Sequence, residues 1–514
     1  MDPNPKTSVV GGVGALLLAA AERAPDDLAV VSYEAPDAEP VRAIFRQLDE
    51  AARRAAARLA EAGVGPGDRV ALIAANRIGF AAAWFAIAYR GATVVPIPIL
   101  SAPGEIAFRL EHARCRAIVF DAERGDLVAR ASEGQSVHPL DLARLEASGD
   151  DDLAEPARVE AASPAMILYT SGTTGRPKGA LISHRTLLEH AAGIGDHALR
   201  LGARDRVLGV LPLTHSYGFR MVLLASLRAG CPCILVPRFD ARGSLEIAER
   251  EGVTWFPAVP TMFAAWGALP DGPRPSKLAW CLSAGSPLAD EILHRAERRL
   301  GCEIRQGYGM TEATFSTIDA PGDERVVGSV GRAAHGVDVR IADESGRDAP
   351  PLATGEVLVR GRNMMTGYLD DPAATAEALR DGWMHTGDVG YLDEAGRLFV
   401  VDRLKDMIIR GGNNVYPSEV EAVLTEHPDV REAAVVGRPD DFYGEEIVAL
   451  VVPRGARGID LGALRGWAAE RIAKNKVPRE WAVLESLPLG PSRKVLKREL
   501  RERIADGSIA LSRG

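Results

Sequence analysis

Nowhere in the 514 residues is there a run of about 18 uninterrupted apolar side chains, so no membrane-spanning helix is expected. A long basic stripe is missing too. With 61 Lys and Arg against 70 Asp and Glu, the formal charge is −9, which argues against a nucleic-acid backbone as the main partner, because that binding requires clustered cations. A nucleotide stays open, since a few local cations suffice. Cysteine is scarce: Cys115, Cys231, Cys233, Cys281 and Cys302 are odd in number and scattered, unlike a disulfide framework, and a reducing cytoplasm is expected. Cys231 and Cys233 form only a CPC pair, with no second Cys or His cluster nearby to complete a tetrahedral metal site, so both are expected to be buried as apolar residues. No internal repeat or low-complexity tract is present.

What remains is ordinary globular material, 46% hydrophobic and 25% charged. The length is too great for one core, so two or more domains are expected. Val9 to Ala21 superficially resembles a secretory signal behind Lys6. Asp2 offsets that cation, however, and Leu16, Leu17 and Leu18 run into Glu22 and Arg23 before Pro25, which reads as an amphipathic helix stopped by proline.

Short apolar runs alternate with longer helical patterns: Val70 to Ala74, Thr93 to Pro96, Ala117 to Phe120, Met166 to Thr170, Val207 to Pro212 and Cys233 to Val236. Strands that alternate with helices imply parallel sheets covered on both faces. After about Gly328 the texture changes to Gly-punctuated alternating strands, as in Val337 to Ile341 and Gly355 to Val359, which suggests a small β subdomain. Gly396 to Arg410 passes from apolar to charged (Asp402 to Asp406) and back, as a linker does. Beyond it a helix near Pro417, strands near Ala433 and Ile447 and a basic tail make up a small mixed domain.

The strongest local signal is TSGTTGRPKG, Thr170 to Gly179, directly after an apolar strand. Gly172 and Gly175 let a backbone approach phosphate closely, while Thr170, Ser171, Thr173, Thr174 and Lys178 supply hydroxyls and charge. The string ends in Pro177-Lys178-Gly179 rather than Gly-Lys-Ser/Thr, so a Walker-type loop is excluded.

This string resembles the signature of the adenylate-forming superfamily, whose members include acyl-CoA synthetases, peptide-synthetase adenylation domains and beetle luciferases. Further motifs match in order between about Ala165 and Leu500. The resemblance implies an α/β chain with a large N-terminal domain of parallel sheets plus a small β subdomain, and a small mobile α+β C-terminal domain. Residues 1–402 would form the AMP- and acyl-binding domain and residues 403–514 the mobile one.

Residue by residue, the resemblance implies nucleotide contacts from Thr170, Ser171, Gly172, Thr173, Thr174 and Lys178. In QGYGMTEA it implies a Gly307–Met310 wall with Tyr308 stacked on adenine, Gly309 and Met310 beside it, Thr311 on the α-phosphate and Glu312 on Mg²⁺. An aromatic face suits a purine and a carboxylate suits a hard cation beside phosphates. SAGSPL places Ala284, Gly285 and Ser286 on the other side of the adenine. Asp388 in Thr386-Gly387-Asp388 would accept from both ribose hydroxyls, with Arg403 as a second ribose contact. PLTHSYGF, Pro212 to Phe219, would border the acid, with His215, Tyr217, Gly218 and Gly307 as acyl-binding residues and the glycines leaving room for a bulky group. His184 is expected only to open a helix behind a Ser183 cap. Lys405 takes the hinge position, Gly411, Gly412 and Tyr443 the coenzyme A side, and Lys494 the position of the lysine that bridges carboxylate and α-phosphate.

The function implied is an acyl-CoA ligase: a small carboxylic acid, ATP, Mg²⁺ and coenzyme A react through an acyl-AMP, in the cytoplasm, without nucleic acid. Lys178, Thr311, Glu312, His215 and Lys494 are the catalytic candidates. One departure opens a second reading. Arg493 stands where the family usually has Gly before the lysine, and a residue there that needs positive φ would be strained. The chain would then convert a preformed acyl-AMP, supplied by a separate adenylating enzyme, to acyl-CoA. A carrier-protein-loading adenylation enzyme shares nearly all the motifs, but the short stretch after Lys494 leaves no attached carrier segment. A luciferase-like oxygenase and a non-catalytic nucleotide-binding scaffold fit less well.

Overall fold

The computed structural model describes residues 8–146, 153–170, 177–455, 458–489 and 495–513. The chain divides into two compact units, Met1–Val339 with Val359–His385, and Arg340–Leu358 with Thr386–Gly514.

The first unit holds two large sheets. In the seven-stranded sheet the order runs Gly367–Tyr368, Lys178–Ser183, Pro164–Thr170, Thr93–Pro96, Arg69–Ile73, Ala117–Phe120, His138–Asp141. Pairing is parallel from Pro164–Thr170 to His138–Asp141 and antiparallel at the other edge. The nine-stranded sheet has a parallel centre: Glu303–Met310, Trp280–Ser283, Trp255–Ala258, Val207–Gly209, Cys233–Leu235, Leu28–Ser32. Antiparallel strands flank it, Thr314–Ile318 with Arg332–Ala333 at one end and Val41–Ile44 at the other. The central strands are near-continuous apolar runs because helices cover both faces and no side of the pleat meets water. Val70 to Ile73 and Val94 to Val95, for instance, are wholly buried.

The expected strands occur where the apolar runs lie: Thr93–Pro96 and Ala117–Phe120 keep their bounds, Arg69–Ile73 is shifted by one residue, Pro164–Thr170 begins two residues earlier, Val207–Gly209 ends three residues earlier and Cys233–Leu235 one residue earlier. The N-terminal segment differs from a single helix. Ser8–Val10 is a strand paired with Arg158–Glu160, and the helix is Ala15–Arg23, which buries Leu16, Leu17 and Ala20. The break falls at Gly11 and Gly12, whose φ values of 65° and 55° lie in the left-handed region that side chains disfavour. Helix Ile78–Tyr89 is apolar all round and correspondingly buried from Gly79 to Tyr89.

Strand Trp383–Leu392, which belongs to the second unit from Thr386 on, pairs antiparallel with Leu398–Arg403, with Asp388 opposite Arg403. A turn of Leu404 to Asp406 leads to Ile408–Arg410. That strand and Asn413–Val415 belong to a six-stranded sheet centred on Val430–Asp440 and Gly444–Pro453. Period-two alternation gives that pair two apolar faces: Val435, Ala449 and Val451 pack on helices Pro417–Thr425 and Leu461–Ala469, while Val436, Val448 and Leu450 form a second core with Leu500 of helix Lys497–Ala505. Among the described residues no helix is long and apolar enough to cross a membrane.

Candidate active site

In the first unit the expected residues gather at strand ends. Trp280–Ser283 and Glu303–Met310 run parallel with Ser283 opposite Gln306, so the turn Ala284, Gly285, Ser286 leaves the sheet at its carboxyl edge beside Gly307 to Met310, which runs on past that edge paired with Thr314–Ile318. Ligands in open α/β sheets sit at such edges. Gly285 has φ 91°, and an added Cβ would find no atom nearer than Val259 Cγ1 at 3.7 Å, so this exposed turn leaves the adjoining space open. Tyr308 is half-buried and lies opposite Thr317. Gly309 is fixed by close approach: a Cβ there would lie 2.0 Å from the Thr314 carbonyl oxygen.

The two sheets are joined at Glu312. Its carboxylate is buried and accepts from the Tyr368 hydroxyl at 2.9 Å, and its carbonyl accepts from Met365 N–H at 2.6 Å. Lys178 Nζ stands 5.2 Å from the centre of the Tyr368 ring, and Lys178 is paired across the hairpin with Thr170. Lys178, Tyr368 and Glu312 thus form a cation–aromatic–carboxylate row, with Thr170 at its start. Burial and the Glu312 carboxylate push the Tyr368 hydroxyl well above its ordinary range, so it stays a donor. Thr311 precedes Glu312 and is half-buried. Asn363 supports the turn by donating to Ala313 and Phe315 carbonyls. Among the described residues no cluster of three or more His, Cys, Asp and Glu side chains could hold a metal by itself.

On the acid side, His215 caps a short turn: its Nδ1 accepts from Tyr217 N–H at 3.2 Å. Tyr217 is buried and donates to Leu282 O at 2.9 Å, which ties it to the carboxyl edge of the nine-stranded sheet. Its ring lies 5.3 Å from Phe315. The two glycines expected to leave room do so for the protein. A Cβ on Gly218 would lie 2.3 Å from Pro212 O, and one on Gly307 would lie 2.6 Å from Phe315 Cε1. The Ser183 cap is as expected, with Ser183 Oγ accepting from Thr186 N–H at 3.1 Å at the start of the helix His184–Ile194, but His184 does more than open it: the imidazole is buried and its Nδ1 accepts from Val13 N–H.

In the second unit Asp388 is buried and pairs with Arg403, Nε to Oδ1 2.9 Å, across the two strands that bring them opposite each other. Lys405 is exposed in the following turn. Gly411, Gly412 and Tyr443 come together: Gly411 N–H donates to Tyr443 O at 2.8 Å, and both glycines have positive φ, 56° and 77°. Two guanidinium groups approach the Tyr443 ring, Arg410 at 4.5 Å and Arg479 at 4.8 Å from its centre. Ser171, Gly172, Thr173, Thr174, Arg493 and Lys494 lie outside the described residues.

Tyr368, Asn363 and Phe315 escaped the sequence reading. None lies in a motif, and only the pairing of Gly367–Tyr368 with Ala180 and Leu181 brings Tyr368 to Glu312.

Residues 17–369 match the model of the AMP-binding enzyme family, and residues 419–494 match that of the AMP-binding enzyme C-terminal domain. The chain belongs to the AMP-binding enzyme family. This AMP-binding enzyme is 37% identical over 463 residues to a feruloyl-CoA synthase of Amycolatopsis, 89% of this chain and 93% of that one. It is 36% identical over 456 residues to the sulfoacetate–CoA ligase of Cupriavidus necator, 86% and 88% of the two chains. Among solved structures it is similar to the o-succinylbenzoate CoA synthetase of Bacillus subtilis. In complex with the acyl-adenylate intermediate OSB-AMP the TM-score is 0.87 at 30% identity, covering 96% of this chain and 98% of that one. In complex with ATP and a magnesium ion it is 0.86 at 30%, covering 96% and 100%.

Proposed function

We propose that this AMP-binding enzyme is an AMP-forming acid–thiol ligase that joins a carboxylic acid to coenzyme A through an acyl-AMP. The observation that carries the reading is the Lys178–Tyr368–Glu312 row beside the paired strand ends of Ala284 to Ser286 and Gly307 to Met310. In the first half-reaction a carboxylate oxygen attacks the α-phosphorus of ATP and pyrophosphate leaves. Two anions must be brought together, so the site has to neutralise and align them. Lys178 and Lys494 supply fixed positive charge, and Thr311 donates to the α-phosphate. Glu312 would hold magnesium together with the nucleotide's phosphates, since Mg²⁺ usually takes one or two carboxylates plus phosphate oxygens rather than a full protein cage. The ion supplies charge neutralisation there.

Tyr308 stacks on the adenine against Ala284, Gly285 and Ser286, with Gly309 and Met310 beside it, and the loop Thr170 to Thr174 holds the phosphates. Asp388 and Arg403 bind the ribose. His215 and Tyr217 border the acid, with Gly218 and Gly307 setting where those side chains and Phe315 stand. In the second half-reaction the coenzyme A sulfur attacks the acyl carbonyl and AMP leaves, with Gly411, Gly412 and Tyr443 on the coenzyme A side. A domain boundary at 402/403, with rotation about Lys405, would present different faces of the C-terminal domain to the two steps. Five cysteines, odd in number and scattered along the sequence, support a reducing cytoplasmic location. A panel of carboxylic acids with ATP, assayed in parallel with coenzyme A and a phosphopantetheinyl carrier protein, tests the reading. Acid-dependent AMP release with coenzyme A is expected, and release only with the carrier would refute it.

Arg493 supports a second reading, in which adenylation is weak and a preformed acyl-AMP is the true substrate. A misplacement of Lys494 by about 1 Å can cost on the order of 10²-fold in rate. On that reading Arg493→Gly raises acid-dependent pyrophosphate exchange while thioester formation from supplied acyl-AMP stays level. Vigorous exchange by the unaltered protein, unimproved by Gly, would sink it.

A further inference from the structure

Arg220 is 1% exposed, yet its Nε and both terminal nitrogens make no hydrogen bond to any described residue. It lies in the helical turn Phe219–Leu224, immediately after the His215–Gly218 segment that borders the acid. Close by is His190 of helix His184–Ile194, 4% exposed, with both ring nitrogens equally unpartnered among the described residues. The Arg220 charge opposes protonation of that imidazole. His190 and Tyr217 both approach the ring of Phe315, at 6.4 and 5.3 Å, and Phe315 in turn fills the space beside Gly307. The guanidinium therefore belongs to the shell of side chains around the acid-bordering residues.

A buried guanidinium without a carboxylate partner is costly, and proteins retain such a group where something else neutralises it. Burial lowers its pKa only to about 9, so it stays cationic at neutral pH. Burial and the same guanidinium hold His190 well below its ordinary value, so the imidazole is neutral there and adds one N–H donor and no second charge. One uncompensated positive charge and a set of unused N–H donors suit one oxyanion.

We propose that Arg220 is a specificity residue that holds a second anionic group, a carboxylate or sulfonate, on the acid joined to coenzyme A. This rests on the acid–thiol ligase reading above. His190 contributes the neighbouring donor. The preferred acid then carries two anionic ends: one becomes the acyl-phosphate anhydride, and the other stays anionic against Arg220.

The test compares matched acids with and without the second anion, pentanoate against glutarate and 3-phenylpropanoate against 3-(4-carboxyphenyl)propanoate. Each is assayed with ATP and coenzyme A on the full chain, as the unaltered protein, Arg220→Met and Arg220→Lys. The unaltered protein is expected to favour the dianionic member of at least one pair by about tenfold or more in kcat/KM, the scale of a charge-assisted hydrogen bond. Met should abolish that ratio and Lys should retain part of it. Arg220→Met should melt no lower than the unaltered protein, because an unpaired buried charge is removed. Preference for the monoacids by the unaltered protein would overturn the proposal. So would a ratio unchanged in Arg220→Met, or a melting temperature that collapses in that variant. If no acid yields AMP at all, the ligase reading fails separately. Calorimetric titration of the same pairs in the presence of AMP then decides the inference: dianion binding lost in Arg220→Met supports it, and equal binding overturns it.

Discussion

Lowering the pH from 7 to 4 should destabilise the first unit through His184. This imidazole is 1% exposed, and its Nδ1 accepts a hydrogen bond from Val13 N–H at 3.1 Å, so protonation would replace an acceptor with a donor facing a donor. Burial lowers its pKa from 6.5 to about 4. In the unfolded chain the group takes up its proton below about 6.5, and in the folded chain only below about 4. Between those values the unfolded state binds more protons, so stability is full above pH 6.5 and falls as pH drops towards 4. A gap of about 2.5 pH units at about 1.36 kcal/mol each gives up to about 3 kcal/mol. His184→Gln keeps an acceptor for Val13 and removes the titration. Urea unfolding of both proteins between pH 7 and 4.5 should show a shallower loss in the variant, while His190, buried in both, cancels from the comparison. Parallel stability curves would refute the reasoning.

Tyr368→Phe keeps the ring under Lys178 but strips the donor from Glu312. A hydrogen bond to a charged group is worth about 1.5 to 3 kcal/mol, so about ten- to hundredfold is expected in kcat/KM for ATP at limiting magnesium, read by AMP release across a magnesium titration. Asp388→Ala should weaken handling of ATP and of acyl-AMP alike by more than about tenfold, as measured by the KM for each, because ribose hydroxyls lose their acceptor. Its effect on unfolding should be small, since the Arg403 left behind is nearly half exposed at 47%. Lys405→Pro fixes φ in the turn after Arg403 and should slow one half-reaction more than the other; equal losses in pyrophosphate exchange and thioester formation would count against alternation there.

Periodicity carried the strands well because parallel central strands are apolar on both faces, and Val70 to Ile73 or Ala117 to Val119 announce themselves. Strings such as QGYGMTEA also located their own residues, since Tyr308, Gly309 and Glu312 hold their places through a strand and the turn beyond it. What the sequence hid was whatever depended on long-range pairing. Tyr368 reaches Glu312 only because an edge strand of two residues docks on Ala180 and Leu181. The space beside Gly218 and Gly307 was illegible for a different reason: the atoms that fill it, Pro212 O and the Phe315 ring, are near in sequence, but only the folded turn and hairpin bring them against the glycines. A glycine in a string marks close approach without saying whether ligand or protein approaches.

Asn76 gives the first unit a property that neither sheet has alone. Buried just past the strand Arg69–Ile73 of one sheet, its amide donates to Leu211 O at 2.8 Å and accepts from Leu213 N–H at 2.9 Å, beyond the strand Val207–Gly209 of the other. These partners are 135 and 137 residues away in sequence. The nine-stranded sheet already needs a longer closure, Val30 opposite Cys233, so once its strands pair the further entropic cost of seating this amide is small. The segment it secures leads directly into His215 and Tyr217. Loss of this amide would therefore leave the strands of both sheets paired and the turn beyond Leu213 without its anchor. Asn76→Ala should keep the far-ultraviolet signal of the unaltered protein and lose activity, because only the turn that carries His215 and Tyr217 is loosened.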